Sequence, residues 1–176
     1  MTGPAVLTDP DRRWLAEAVR LSADCVPSLS AFSVGSVLVA ANGIEVSRGY
    51  SRQESIADHA EEVALRRASA AGADLRGATI YSSLEPCGHR LSRSAGCAEL
   101  IIEHGIRRVV FALPEPDLFV PARGARWLRS AGVTVLVDPD LADGVRAVNA
   151  HLLPVRTGPE PEHLDRRGIA DVHRDR

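Results

Sequence analysis

The sequence predicts an α/β sandwich around a mixed sheet, and three observations carry that prediction. The run Ser33-Val34-Gly35-Ser36-Val37-Leu38-Val39 leads into Asn42-Gly43 and then Ile44 to Tyr50, the pattern of an antiparallel pair joined by a two-residue turn. The second half alternates short β-branched runs with Ala-, Leu- and Arg-rich stretches, which calls for parallel strands bridged by helices. At 176 residues the chain is long enough to bury a core without disulfide or metal staples.

Taken in order, Asp9-Pro10-Asp11 offers a cap and an early proline. Trp14, Leu15, Ala18, Val19 and Leu21 follow at helical spacing, so a first helix is expected to run to about Cys25. The strand pair spans 33–39 and 44–50. A second helix over 58–71 starts with His59 and Glu61 in its first turn and stops at Gly72. Residues 79–83 form a short strand, broken by Glu85-Pro86-Cys87 because proline has no ladder donor. A loop over 88–96 leads to a helix from Cys97 to His104. Strand 108–112, helix 122–131, strand 133–137 and helix 141–152 complete a domain over 1–153. Residues 154–176, with Pro154, Pro159, Pro161 and many charges, read as a flexible tail.

A net charge of −2 and the lack of a basic stripe give no electrostatic reason to expect a nucleic-acid or membrane-surface partner, which favours small solutes. The N-terminus lacks an apolar leader and no run reaches 18 apolar residues, so a soluble cytoplasmic protein is expected. Three cysteines make an odd count, and two lie near a Pro-Cys turn, which suits metal binding in a reducing compartment better than a disulfide framework. Cys25 is then a spare buried thiol.

Catalytic zinc takes three protein ligands and keeps a fourth position for water, with histidine nitrogen and thiolate among its preferred donors. His59, Cys87 and Cys97 supply one such set. Placing cysteines at or just before helix N-termini favours thiolate over thiol. Two thiolates offset the charge of zinc, so a base beside it is needed, and Glu61 is the candidate. Read singly, His59 is a helix cap and Cys87 a small buried hydrophobe. Together, His59-Ala60-Glu61, then Pro86-Cys87, then Cys97 follow the order of the zinc deaminase signature, although nine residues separate the cysteines where that signature has two. Glu62 is expected to face solvent and pair with Arg66 four residues on. His89 competes for the fourth metal position. His104 and His151 are assigned no role.

From Val34-Gly35 through Leu153 the chain resembles the deaminase domain of the bifunctional riboflavin-biosynthesis deaminase/reductase, within the cytidine deaminase-like superfamily. The likeness rests on His59-Ala60-Glu61, on Ser83-Leu84-Glu85-Pro86-Cys87 with its long cysteine gap, and on Ala98-Glu99-Leu100-Ile101 followed by Gly105-Ile106-Arg107-Arg108-Val109-Val110. Arg123-Gly124 and Leu128-Arg129-Ser130-Ala131-Gly132-Val133 add to it. The resemblance implies a three-layer α/β/α fold, a bound Zn2+ and hydrolytic deamination of a diaminopyrimidine ribosyl phosphate. It also implies a homo-oligomer, dimer or tetramer, and substrate contacts at Ala60, Ser51, Ser83 and His89. A reductase half is missing from these residues, so deamination alone is expected, with reduction left to another protein.

The departures concern the pocket. Ala31-Phe32-Ser33 stands where the family has Pro-Asn-Pro, Gly49-Tyr50-Ser51 where it has Gly-Trp-His, and residues 91–96 where it has Gly-Arg-Thr-Pro-Pro. Losing polar contacts from a site that reads hydrogen bonds changes selectivity strongly. A free-base or nucleoside deaminase is therefore the first alternative, with Arg90 and Arg93 as phosphate contacts that would argue against it. The non-enzyme alternative is an inactive scaffold whose zinc is closed by a fourth protein ligand.

Overall fold

A computed structural model of the chain describes residues 6–90, 93–116, 118 and 123–153. The elements run α1 (Asp9–Ser22), β1 (Gly35–Val39), β2 (Glu45–Tyr50), α2 (Ala60–Ala70), β3 (Thr79–Leu84), α3 (Cys97–Glu103), β4 (Arg108–Leu113), α4 (Gly124–Ser130), β5 (Thr134–Val137) and α5 (Ala142–Val148), with a 3₁₀ turn at Pro139–Leu141. The tail expected over 154–176, the start of the helix expected at 122 and loop residues Leu91 and Ser92 lie outside the described residues.

The sheet order is β2-β1-β3-β4-β5. β1 runs antiparallel to both β2 and β3, whereas β3, β4 and β5 are parallel, so the sheet is mixed as the sequence predicts. Because side chains alternate across a strand, Val37, Val39, Val110 and Ala112 pack with Leu15, Ala18 and Leu21 of α1 and Val145 of α5. Leu38, Ile80, Val109 and Phe111 face the other way, onto Ala64 and Leu65 of α2, Ile101 of α3 and Leu128 of α4. That is a three-layer α/β/α sandwich with two apolar seams.

Several boundaries differ from expectation for local reasons. The cap of α1 is Thr8, not Asp9: Thr8 Oγ1 accepts the Asp11 N–H at 3.3 Å while the Asp11 carboxylate accepts the Thr8 N–H at 2.8 Å, a reciprocal box. α1 ends at Ser22, leaving Cys25 three residues beyond the helix. The hairpin turn holds three residues rather than two, since Ala40 and Ile44 close it, with Gly43 in the left-handed region at φ 82°. β1 starts at Gly35 rather than Ser33, and α5 ends at Val148. Both ends are set by one contact: Asn149 accepts the Ser33 N–H at 2.7 Å and donates to its carbonyl at 3.0 Å, taking residue 33 out of the ladder.

Asp11 also joins the layers. Its carboxylate accepts the Tyr81 hydroxyl at 2.7 Å and both Arg108 guanidinium nitrogens, at 2.7 and 2.9 Å, tying α1 to β3 and β4.

Candidate metal centre and active site

Three element ends meet on the α2 and α3 side of the sheet. His59 is the N-cap residue of α2, just outside the first turn where the sequence predicts it. Its backbone is extended and its side chain makes no capping bond, which leaves the ring for other partners. Cys87 follows β3, and Cys97 is the first residue of α3. His59 Nδ1 lies 3.6 Å from Cys87 Sγ and 3.4 Å from Cys97 Sγ, and the three donor atoms all fall within 4.8 Å of one another. Tetrahedral zinc with ordinary bond lengths places a nitrogen and a sulfur donor about 3.6 Å apart, so this donor set fits that ion.

The Cys97 backbone N–H points at Cys87 Sγ at 3.4 Å, so the positive end of α3 serves the cysteine ten residues earlier. Hydrogen bonding from Cys97 is the main influence pulling the Cys87 thiol far below its ordinary value, against its burial, with the His59 ring adding to it. Cys97 is pushed up correspondingly, by Cys87 and by complete burial.

Glu61 stands in the first turn of α2, almost fully buried, and its Oε1 accepts the Ser82 hydroxyl at 2.6 Å. Burial pushes its carboxyl up; the Ser82 bond opposes this and the Cys87 sulfur reinforces it.

The turn carrying Cys87 is clamped from below. The Glu85 N–H donates to the Leu113 carbonyl at 2.8 Å, and its carboxylate accepts the Ala125 N–H at 2.7 Å and the Glu115 N–H at 3.3 Å. Glycine is required at the contact point, because a Cβ on Gly124 would meet the Pro86 carbonyl oxygen at 1.7 Å.

The loop between the cysteines is held by charge. Arg90, with a side chain only 4% exposed, donates to Glu62 at 2.9 Å and to the Ala95 carbonyl at 2.7 Å, and Arg93 pairs with Glu62 and Asp58. Glu62 thus faces the loop instead of solvent. Arg66, its expected partner, pairs with Glu54 and Asp58. The i,i+4 rule yields here because a buried guanidinium needs a carboxylate more than an exposed one does.

A cleft of about 280 Å³ opens beside the donor group, and His59, Glu61 and Cys87 form part of its wall. Ser51 and His89 line it as well; Ser51 Oγ accepts the Val34 N–H at 3.2 Å, and His89 is exposed and stands outside the metal-donor group. Ser83 and Ala60 do not reach the wall. Ser83 Oγ accepts the Gly35 N–H at 3.1 Å within the sheet, and Ala60 is fully buried in α2. Ser82, not singled out from sequence, faces Glu61 instead, and alternation with apolar Ile80 is the signal that finds it. Arg52, Asp58 and Glu85 also line the cleft without having been picked out. Among the described residues no helix is long and apolar enough to cross a membrane.

Comparison with known proteins agrees with this geometry. A family model for the cytidine and deoxycytidylate deaminase zinc-binding region matches residues 8–113. A Schizosaccharomyces pombe protein named diaminohydroxyphosphoribosylamino-pyrimidine deaminase is 39% identical over 125 residues, which is 70% of this chain and 31% of the relative. The Escherichia coli riboflavin biosynthesis protein RibD is 36% identical over 126 residues, covering 72% and 33% respectively. The chain therefore spans about a third of the length of these relatives. Among solved structures, a Thermotoga maritima diaminohydroxyphosphoribosylaminopyrimidine deaminase/5-amino-6-(5-phosphoribosylamino)uracil reductase superposes with a TM-score of 0.69 at 29% identity, over 79% of this chain and 39% of that one. The match over 8–113 takes in His59, Glu61, Cys87 and Cys97, and this chain belongs to the cytidine and deoxycytidylate deaminase zinc-binding family.

Proposed function

We propose that the chain is a zinc-dependent hydrolase that removes an amino group from an aminopyrimidine ribosyl phosphate of the riboflavin-pathway type, releasing ammonia. The observation that carries this reading is the convergence of His59, Cys87 and Cys97 beside a buried carboxyl, Glu61, with His59, Cys87 and Glu61 on the wall of one cleft. The names of the relatives supply the substrate class.

Zinc held by the three donors would supply the Lewis acidity that brings water toward ionisation near neutral pH. Glu61 takes the proton of the attacking water and returns it to the amino nitrogen. The C–O bond forms, the C–N bond breaks and ammonia leaves. Glu61 is placed for this task by its burial beside the three donors, on the cleft wall. The Ser82 hydroxyl orients it. Glu85 holds the Cys87 turn, and the Arg90–Glu62 pair holds the loop against α2.

A free nucleobase or nucleoside is the second reading for the substrate. It is favoured by the state of Arg90 and Arg93, the loop cations expected to meet a phosphate, which are already paired with Glu62 and Asp58. The inactive-scaffold reading needs a fourth protein donor, and the donor group found among the described residues has three. A homo-oligomer, dimer or tetramer, located in the cytoplasm completes the proposal; light scattering of the purified chain tests the assembly.

The deciding experiment is ammonia release by the zinc-loaded protein from the riboflavin-pathway diaminopyrimidine phosphate, cytidine, cytosine and guanine, with E61Q as control. Turnover of the diaminopyrimidine phosphate, lost in E61Q, is the expected result. Turnover of an unphosphorylated compound alone selects the second reading, and no turnover of any compound overturns both.

A further inference from the structure

Two arginines line the cleft, and they are held in opposite ways. Arg90 is neutralised by Glu62. Arg52 is not: its Nε donates to the Val26 carbonyl at 2.8 Å, one Nη to the Phe32 carbonyl at 3.0 Å and the other to Ser33 Oγ at 2.9 Å, all neutral acceptors. A guanidinium has five N–H donors, so two remain. Among the described residues no carboxylate pairs with Arg52. The nearby Cys25 thiol is kept neutral, pushed up by burial. On the cleft wall Asp58 is held by Arg66, Arg93 and two main-chain N–H groups, Glu61 by Ser82, and Glu85 by Ala125 and Glu115.

The backbone is unusual at the same place. Arg52 has φ 62°, and it is the sole non-glycine residue with positive φ among those described. An unbranched turn of this kind is better served by glycine or asparagine, and strain retained at a long charged residue points to a task for its side chain. A partly buried cation surrounded by neutral oxygens gains most from an anion that completes its hydrogen bonds.

We infer that Arg52 is the anion subsite of this cleft and that it receives the phosphate of the substrate through its two remaining N–H donors. The inference rests on the deaminase reading for the identity of that substrate. It also accounts for how a phosphate is read when Arg90 and Arg93 are committed to carboxylates. The planar fork of arginine matches a phosphate edge, so lysine at this position should serve only in part.

Inorganic phosphate is the probe that separates this inference from the proposed reaction, because its binding needs no turnover. Calorimetric titration into the zinc-loaded chain is expected to show binding that weakens tenfold or more in R52Q and less in R52K. In the wild-type chain, phosphate is expected to slow modification of Arg52 by phenylglyoxal, read by peptide mass, which needs no variant to fold. Equal phosphate affinity in wild type and R52Q, or modification unaffected by phosphate, overturns the inference. With an active substrate in hand, R52Q should raise KM at least tenfold more for the phosphorylated compound than for its dephosphorylated counterpart, with kcat for the phosphorylated compound held within about threefold. Equal losses on both compounds would make Arg52 a loop latch and sink the subsite while leaving the reaction intact.

Discussion

On one side of the cleft His59, Glu61 and Cys87 sit at the ends of helices and a strand, backed by Cys97 at the start of α3; on the other, Ala31, Phe32, Ser51 and Arg52 sit on loops. The first side is tied to neighbouring elements by Glu85, Ser82 and the Arg90–Glu62 pair. The second is joined mainly by hydrogen bonds from Arg52 to the backbone and hydroxyl of residues 26–33. Two of the three departures from the riboflavin deaminase pattern, at 31–33 and 49–51, fall on this second side. Chemistry that needs fixed distances belongs on rigid ends, and selectivity can be revised on loops without moving the reacting groups.

The sharpest way to break this contrast is E61Q. It should lower kcat by about 10²- to 10⁴-fold while zinc content, measured by atomic absorption, stays at the wild-type level. A parallel loss of zinc would mean that Glu61 supports the metal site and not proton transfer. Next in size is E62Q, which leaves buried Arg90 without its carboxylate and should cost about 3 kcal/mol in urea unfolding. A cost within about 0.5 kcal/mol, as for an ordinary surface change, would show that the loop does not depend on the pair.

The α1 layer provides a pH test, because it packs Phe32 of the recognition side into its seam. Burial alone would raise the Asp11 carboxyl, but the bonds from Arg108, Tyr81 and Thr8 outweigh it and hold the group far below its usual value. A lowered folded value means that this stabilisation is complete above the normal aspartate value of about 4 and is lost as pH falls through the lowered one. D11N should therefore cost about 2 kcal/mol at neutral pH and flatten the acid limb of the stability curve. An unchanged acid limb would assign acid lability to other carboxylates. The smallest expected effect on catalysis is that of F32N, which restores the family's polar residue at a stability cost of about 3 kcal/mol for opening the α1 seam. It should shift the ratio of kcat/KM between diaminopyrimidine and cytosine compounds by about tenfold with zinc retained; no shift would remove Phe32 from substrate selection.

Much of the metal side was legible from spacing. His-x-Glu before a helical run and Pro-Cys after a strand are local signals, and the elements around them formed within a few residues of expectation. The partners of charged side chains were not legible in the same way. Glu62 looked like half of an i,i+4 pair with Arg66, yet it is claimed by Arg90 from 28 residues away. Ser83 looked like a pocket residue, yet its neighbour Ser82 is on the face that meets Glu61.

By itself the sequence determined the mixed α/β architecture and singled out His59, Glu61, Cys87 and Cys97 as one candidate group, because periodicity and motif spacing act over a few residues of chain. Tertiary structure alone decided that the Cys97 N–H serves Cys87, that Glu85 clamps its turn from α4, and which of the two arginines on the cleft wall keeps N–H donors to spare. Those outcomes depend on which charged and hydrogen-bonding groups are desolvated together, and burial is a property of the packed layers that no local pattern encodes.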